Sequence, residues 1–560
     1  MPADEHAADH DQPLWAVDRT DPPVPRWDTI ATFVRVGSEQ FGGRDAVISP
    51  AQRITYSELD RRSHDLAKGL LAAGVPKYAR VGLVMPNSPE WVVSWMAIAR
   101  VGAVAVPLST FASGWELRSM LAHSDCVAVI AGGTKATAQL TAMFDTLDGA
   151  RPDSGTRLLI TELPHLQWIA SSADVSNAAL PVRPLAEIID AGNSVPDSIL
   201  TAAEQAVHPS DPATMIYTSG STSAPKGVIH SHRGILTRTT EFAHEFSIRP
   251  DDRVYSSMPL FWVGGLGQIL LPLLANGACT ATLERPDPAA VRALIESERL
   301  TRIFLYPQRT ATSIVNDPAW QGVDLSSIER GLPGLPGISL TTFGDGMGLG
   351  MSETFAAYAW GRPEHPSQFT PPMRRLSAGW SVKVITDDGR PAHHGEEGEI
   401  LVRGPSLCIG LQKRDRDEVF DADGFYRTGD YVLVDGGALR FRGRRGDMIK
   451  SAGANVAAAE VETALRRLEG VDEAFVVGIP DQDRGAVPGA AVVAKLGATL
   501  SEAGLLAELG KVLAGYKLPR RILILDSVAD IPMTPTGKLR QHELRELLTN
   551  ASAPVRKARR

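Results

Sequence analysis
The chain has 560 residues, too many for one ordinary domain; at roughly 100–200 residues per domain, about three to five folding units are expected. A hydrophobic share of 43% and a charged share of 22% exclude a mainly disordered, collagenous or low-complexity protein. With 57 basic against 65 acidic side chains, a formal −8, no electrostatic footprint points to nucleic acid as a partner.

The first 28 residues, MPADEHAADHDQPLWAVDRTDPPVPRWD, are polar and Pro-rich and are expected to be a disordered extension. They lack the basic start and apolar centre of a signal peptide. From about residue 29 helix and strand alternate. TYSELDRRSHDLAKGLLAAGV (55–75) predicts a helix, with Leu59, Leu66, Leu70 and Leu71 at helical spacing and a stop near Gly74. ARVGLVMP predicts a strand. In the helix that follows, Ser88 is the expected N-cap and Pro89 opens the first turn. The apolar run Trp91–Leu108 is broken by Arg100, Gly102 and Pro107, so it reads as a buried helix and a buried strand rather than a membrane span.

Residues 145–210 are richer in Ser, Asp, Pro and Gly and read as surface excursions. Regular alternation resumes from 213 to about 360. Between 380 and 443, short strands with turn signals at Asp388-Gly389, Asp423-Gly424 and Gly436-Gly437 predict a β-rich subdomain. The following 444–548 predict a small α+β domain, with an Ala-rich helix (457–468), strands FVVGIP, AAVVAKL and RILILD, and a helix near 502–514. The basic tail 549–560 is expected to be disordered. Cys126, Cys279 and Cys408 match no metal-ligand spacing; an odd, sparse set of buried thiols fits a reducing, cytoplasmic setting.

The most informative segment is Met215-Ile-Tyr-Thr-Ser-Gly-Ser-Thr-Ser-Ala-Pro-Lys-Gly-Val228. An apolar strand runs into a stretch of hydroxyls and glycines that lets backbone N–H groups approach phosphate oxygens, and Lys226 adds a point charge. No Gly-Lys-Ser/Thr follows a four-residue spacer, so this is not a Walker A loop.

The segment TSGSTSAPKGV resembles the phosphate loop of the adenylate-forming superfamily, the acyl-CoA synthetases, peptide-synthetase adenylation domains and luciferases. Further matches follow in order: Tyr56-Ser-Glu-Leu, Met258-Pro-Leu-Phe-Trp-Val-Gly-Gly265, Gly350-Met-Ser-Glu-Thr354, Gly398-Glu-Ile-Leu-Val-Arg-Gly-Pro405, Tyr426-Arg-Thr-Gly-Asp430, Gly443-Arg444 with Asp447, and Pro535-Thr-Gly-Lys538. They span roughly residues 45 to 545.

The resemblance implies an α/β fold: a large N-terminal lobe (29–443) of helix-covered parallel sheets plus the β-rich subdomain, then a small mobile C-terminal domain. It implies ATP-dependent conversion of an apolar fatty, cyclic or aryl acid to acyl-AMP with release of pyrophosphate, then transfer to coenzyme A. Loading of a separate carrier protein and a non-catalytic, acyl-nucleotide-binding role are the alternatives. By resemblance, Thr218, Ser219, Gly220, Ser221, Thr222 and Lys226 hold the β- and γ-phosphates, and Ser352 meets the α-phosphate beside Gly350 and Met351. Glu353 ligates Mg²⁺ with Thr218, Asp430 and Arg444 hold the ribose, and Lys538 bridges carboxylate and phosphate during adenylation. Phe261, Trp262, Gly264 and Gly265 form the acyl pocket.

Two positions and one segment depart from the family pattern. Trp262 stands where most acyl-CoA synthetases carry His, exchanging a polar gate for an aromatic wall. Gly446 takes the place of the charged hinge. SAGANVAAAE (451–460) retains only Gly453 and Asn455 on the side that serves coenzyme A. A monomer or homodimer with no integral membrane segment and no nucleic-acid partner is expected.

Overall fold
A computed structural model describes residues 16–17, 24–133, 135–147, 158–174, 181–218, 226–305, 308–328, 347–361, 372–444, 448–451, 454–533 and 539–550. Arg80–Val84 lies within an eight-stranded sheet whose order is Gly410–Leu411, Lys226–Ser231, Pro212–Thr218, Val104–Pro107, Arg80–Val84, Ala128–Ala131, Trp168–Ser171 and Arg183–Pro184. From Pro212–Thr218 onward the strands are parallel; Lys226–Ser231 and Gly410–Leu411 turn antiparallel. A second sheet runs Arg302–Phe304, Arg253–Ser256, Cys279–Ala281, Asp45–Ile48 and Arg53–Thr55, parallel except at the last pair.

Helices Tyr56–Ala72 and Pro89–Arg100 join the two sheets in one hydrophobic cluster, which holds Val47 and Ile54 of one sheet and Val81 and Leu83 of the other. Ser88 caps its helix as expected, its hydroxyl accepting from Trp91 N at 3.1 Å. Every residue from Trp91 to Arg100 is buried. Arg100 is compatible with that burial because Asp60 and Glu204 each supply a carboxylate oxygen at 2.6 Å. The apolar run is thus a core helix and strand, and among the described residues no helix is long and apolar enough to cross a membrane.

The β-rich subdomain is an antiparallel meander of Ser381–Ile385, Glu397–Arg403, Tyr426–Asp435 and Ala438–Arg444. Its turns use left-handed glycines at the expected places, Gly389 at φ 88° and Gly424 at φ 79°. Beyond it, Ala454–Ala457, Met448–Ser451, Gly485–Ala494 and Val471–Asp481 form a sheet extended by Arg521–Leu525 and covered by helices Ala458–Arg466, Glu502–Val512 and Gln541–Asn550. This unit has its own apolar clusters, one around Val461, Leu465 and Leu509 and one around Leu544 and Leu548.

Two expectations are corrected. The N-terminal extension is not disordered throughout: Ala16–Val17 pairs with Val382 and Ser381, and Trp27 is buried edge-on to Phe33. Residues 145–210 are not merely surface excursions, because the buried strand Trp168–Ser171 extends the parallel sheet next to Ala128–Ala131. All three cysteines are free and buried, as expected; burial pushes the Cys126 and Cys279 thiols up to about 12, so both stay protonated and inert.

Candidate active site
The hairpin Pro212–Thr218/Lys226–Ser231 sets Thr218 directly opposite Lys226 at the mouth of its loop. A Cβ at Gly227 would lie 2.7 Å from Met215 Sδ, so a larger residue there would make Met215 shift. Ser219, Gly220, Ser221 and Thr222 fall outside the described residues.

Ser352–Thr354 forms one tight 3₁₀ turn between strands Met347–Met351 and Ala356–Gly361. Its carbonyls are held from three sides: Ser352 O by His230 Nε2 at 2.8 Å, Glu353 O by Cys408 N at 2.7 Å, and Thr354 O by Ser406 Oγ at 3.0 Å. Burial pushes the His230 imidazole down to about 4, so the ring is neutral and donates from Nε2. The exit from the turn is strained, with Phe355 at φ 52° and Ala356 at φ 132°. At the entrance, Gly350 comes so close to the neighbouring strand that a Cβ would sit 2.3 Å from Ala356 O.

The Glu353 carboxylate is nearly buried and meets two groups from distant segments. Lys226 Nζ pairs with Glu353 Oε1 and donates to the Tyr426 hydroxyl at 2.5 Å, and Tyr426 donates to the same Glu353 oxygen at 2.9 Å. Lysine, tyrosine and glutamate therefore close a three-membered ring. Tyr426 begins the strand that carries Asp430, and Asp430 stands directly opposite Arg444 on the next strand. Both expected ribose residues thus occupy one cross-strand pair, with Asp430 itself buried.

The expected acyl segment is braced by Asn87, which donates to Met258 O and accepts from Leu260 N, both at 2.8 Å. Gly264–Leu270 is a π-helix, and Gly265 approaches Pro259 O so closely that a Cβ would lie 2.1 Å away. Phe261 and Trp262 are edge-to-face at 5.8 Å, and Phe111 joins them at 5.5 and 6.3 Å.

The model of the family described as AMP-binding enzyme matches residues 34–411, and that of its C-terminal domain matches 460–538. The chain belongs to the AMP-binding enzyme family. It is 31% identical to the indoleacetate–CoA ligase of Aromatoleum aromaticum, over 90% of this chain and 95% of that one. It is 32% identical to a feruloyl-CoA synthase of an Amycolatopsis species, over 88% and 93%. Among solved structures, the amide bond synthetase McbA of Marinactinospora thermotolerans superposes with a TM-score of 0.74 at 26% identity, covering 93% of this chain and 99% of that one. The protein is an AMP-forming acid–thiol ligase, which activates a carboxylic acid with ATP and transfers the acyl group to coenzyme A.

Within this AMP-binding enzyme, Lys226, Glu353 and Tyr426 converge, and Asp430 and Arg444 face each other one strand further on. Lys538, Gly446 and Gly453 lie outside the described residues, as does the Arg444 side chain; Asn455 is described as backbone only, opposite Lys450. Four residues were missed by sequence reasoning as members of the site: Asn87, Phe111, His230 and Tyr426. Tyr426 opens the segment Tyr426-Arg-Thr-Gly-Asp430, yet an aromatic residue opening a strand reads as core. His230, three residues after Gly227, was the more legible signal.

Proposed function
We propose that the ring of Lys226, Glu353 and Tyr426 marks the nucleotide site, and that the acid activated there is apolar and carries a ring. The observation that carries this reading is the closure of three motifs, spread over 200 residues of chain, on one buried carboxylate. Thr218, Ser219, Gly220, Ser221, Thr222 and Lys226 hold the β- and γ-phosphates. Ser352, beside Gly350 and Met351, meets the α-phosphate, and Asp430 with Arg444 holds the ribose. The residues also fit Mg²⁺: Glu353 supplies a buried carboxylate and Thr218 a hydroxyl across the hairpin, hard oxygen donors of the kind that bind this ion together with phosphates. Bound there, the ion would neutralise charge on the departing pyrophosphate.

The acid carboxylate attacks the α-phosphorus, the bond to the β-phosphate oxygen breaks, and an acyl–AMP anhydride forms. Lys538 stabilises the charge on the oxygens of that transition state. The coenzyme A thiol, having lost its proton, then attacks the acyl carbonyl, and AMP leaves. Gly453 and Asn455 serve this second step, and Gly446 is the hinge by which residues 444–548 move between the two reactions as a separate domain. The aromatic wall of Phe111, Phe261 and Trp262 favours a ring-bearing acid, in line with relatives named for indoleacetate and ferulate. The buried, protonated thiols support a cytoplasmic location.

The protein is to be incubated with ATP, Mg²⁺ and a panel of indoleacetate, ferulate, benzoate and straight-chain acids, following pyrophosphate release before and after addition of coenzyme A. Pyrophosphate with ring-bearing acids and a thioester on adding coenzyme A are expected. Preference for straight-chain acids would refute the substrate class, and no pyrophosphate with any acid would refute the assignment of this site.

A further inference from the structure
A nearly buried carboxylate needs a counter-charge, and Glu353 takes it from Lys226. The two partners differ in freedom. Glu353 sits in a 3₁₀ turn whose carbonyls are gripped by His230, Cys408 and Ser406, so its carboxylate has little room to swing. Lys226 reaches in on a flexible stem from the end of a hairpin strand, and 27% of its side chain is exposed against 5% for Glu353. The partner able to leave is therefore the lysine.

Tyr426 makes that departure tolerable. Its hydroxyl accepts from Lys226 while donating to Glu353, so when the ammonium withdraws the carboxylate keeps the tyrosine donor and its orientation. Among the described residues no cluster of three His, Cys, Asp or Glu could hold a metal by itself. One carboxylate already neutralised by lysine is a poor cation site; the same carboxylate released from lysine is a better one, completed by the phosphates.

We infer that Lys226 is a removable counter-ion, which occupies Glu353 in the empty enzyme and keeps divalent cations out until the triphosphate draws the ammonium away. This rests on the proposed roles of Lys226 at the phosphates and Glu353 at the metal, and adds that the metal is admitted only with its nucleotide. Tyr426 is the positioning residue of the exchange.

The probe is Mn²⁺ alone, titrated into the full-length protein without nucleotide or acid and followed by the loss of its free-ion paramagnetic resonance signal. Wild type and Lys226→Arg, which keeps the cation, are expected to leave the signal undiminished. Lys226→Met and Lys226→Gln are expected to diminish the signal at Mn²⁺ concentrations at least about tenfold below any at which wild type does, because each removes the Lys226 ammonium from a buried carboxylate. Adding Glu353→Gln to Lys226→Met should abolish the gain. Glutamine retains an N–H donor to Glu353, so it serves if the methionine variant unfolds. No gain in either variant, or nucleotide-free binding by wild type that Glu353→Gln removes, would overturn the inference. Because neither acid nor nucleotide enters the titration, a chain that activates acids but shows no gain keeps its function and loses only the counter-ion role.

Discussion

Lys517 Nζ lies 2.6 Å from Glu116 Oε1 in the large lobe and 2.7 Å from Glu460 Oε1 in the small one, so a single buried ammonium ties the two together. Burial pulls its pKa down, but Tyr516, Glu116 and Glu460 outweigh this and leave it raised. Glu116 also accepts from Ser113 N at 2.8 Å, closing the capping box of helix Gly114–Ser124, while the Ser113 hydroxyl donates to Val512 O at 3.0 Å. Lys517→Met would leave two carboxylates facing each other without a cation, a loss of about 3–5 kcal/mol. A lower unfolding midpoint and a larger radius of gyration by small-angle scattering are expected. Glu116→Gln should be milder, since its amide oxygen can still accept from Ser113. An unchanged midpoint and radius for Lys517→Met would show that the lysine does not hold the lobes together.

Burial holds His230 and His232 neutral, each pushed down from 6.5 to about 4. Between those values the unfolded chain binds protons that the folded chain refuses, so stability is complete above pH 6.5 and falls as the pH drops toward 4. Each histidine contributes at most about 3 kcal/mol to that fall. Urea unfolding across this range should show a shallower pH slope for His230→Gln than for wild type. Parallel slopes would mean that His230 is charged in the folded protein.

Features that depend on neighbouring residues were legible in the sequence. The cap at Ser88, the glycine turns of the meander and the strand entering the phosphate loop each follow from a few adjacent side chains. Features that depend on distant pairing were not. Ala16–Val17 is a strand only because Ser381–Val382 offers an edge, and Trp168–Ser171 because Ala128–Ala131 does. In the site, the sequence carries the residue types at 226, 353 and 430, but not that Tyr426 would turn its hydroxyl onto Glu353, or that Phe111 would reach Phe261 from a loop about 150 residues earlier in the chain.

Ala356 carries a φ of 132°, a conformation in which glycine is at ease and alanine is strained. The strain lies directly after the turn that presents Ser352 and Glu353. Ala356→Gly should therefore raise the unfolding midpoint, stabilising the fold by about 1 kcal/mol once the entropy glycine loses on folding is set against the strain relieved. It should also relax the turn and lower the rate of pyrophosphate release. A lower midpoint would show that the buried methyl group matters more than the backbone strain.

Phe111 is 49% exposed although it stands edge-on to both Phe261 and Trp262. An aromatic side chain so exposed adds little to stability, but a ring-bearing acid lying along Phe261 and Trp262 would cover it. Edge-to-face contacts of this kind contribute about 0.5–1.5 kcal/mol, so Phe111→Ala should raise KM for ring-bearing acids roughly two- to tenfold. The unfolding midpoint should hardly move. A straight-chain acid presents no ring edge or face and should lose less, and KM for ATP should stay put because the nucleotide residues lie on other segments. Steady-state kinetics with one acid of each kind decides the matter. An equal rise for both acids would reduce Phe111 to general apolar cover, and a rise in KM for ATP alone would separate the aromatic cluster from the acid.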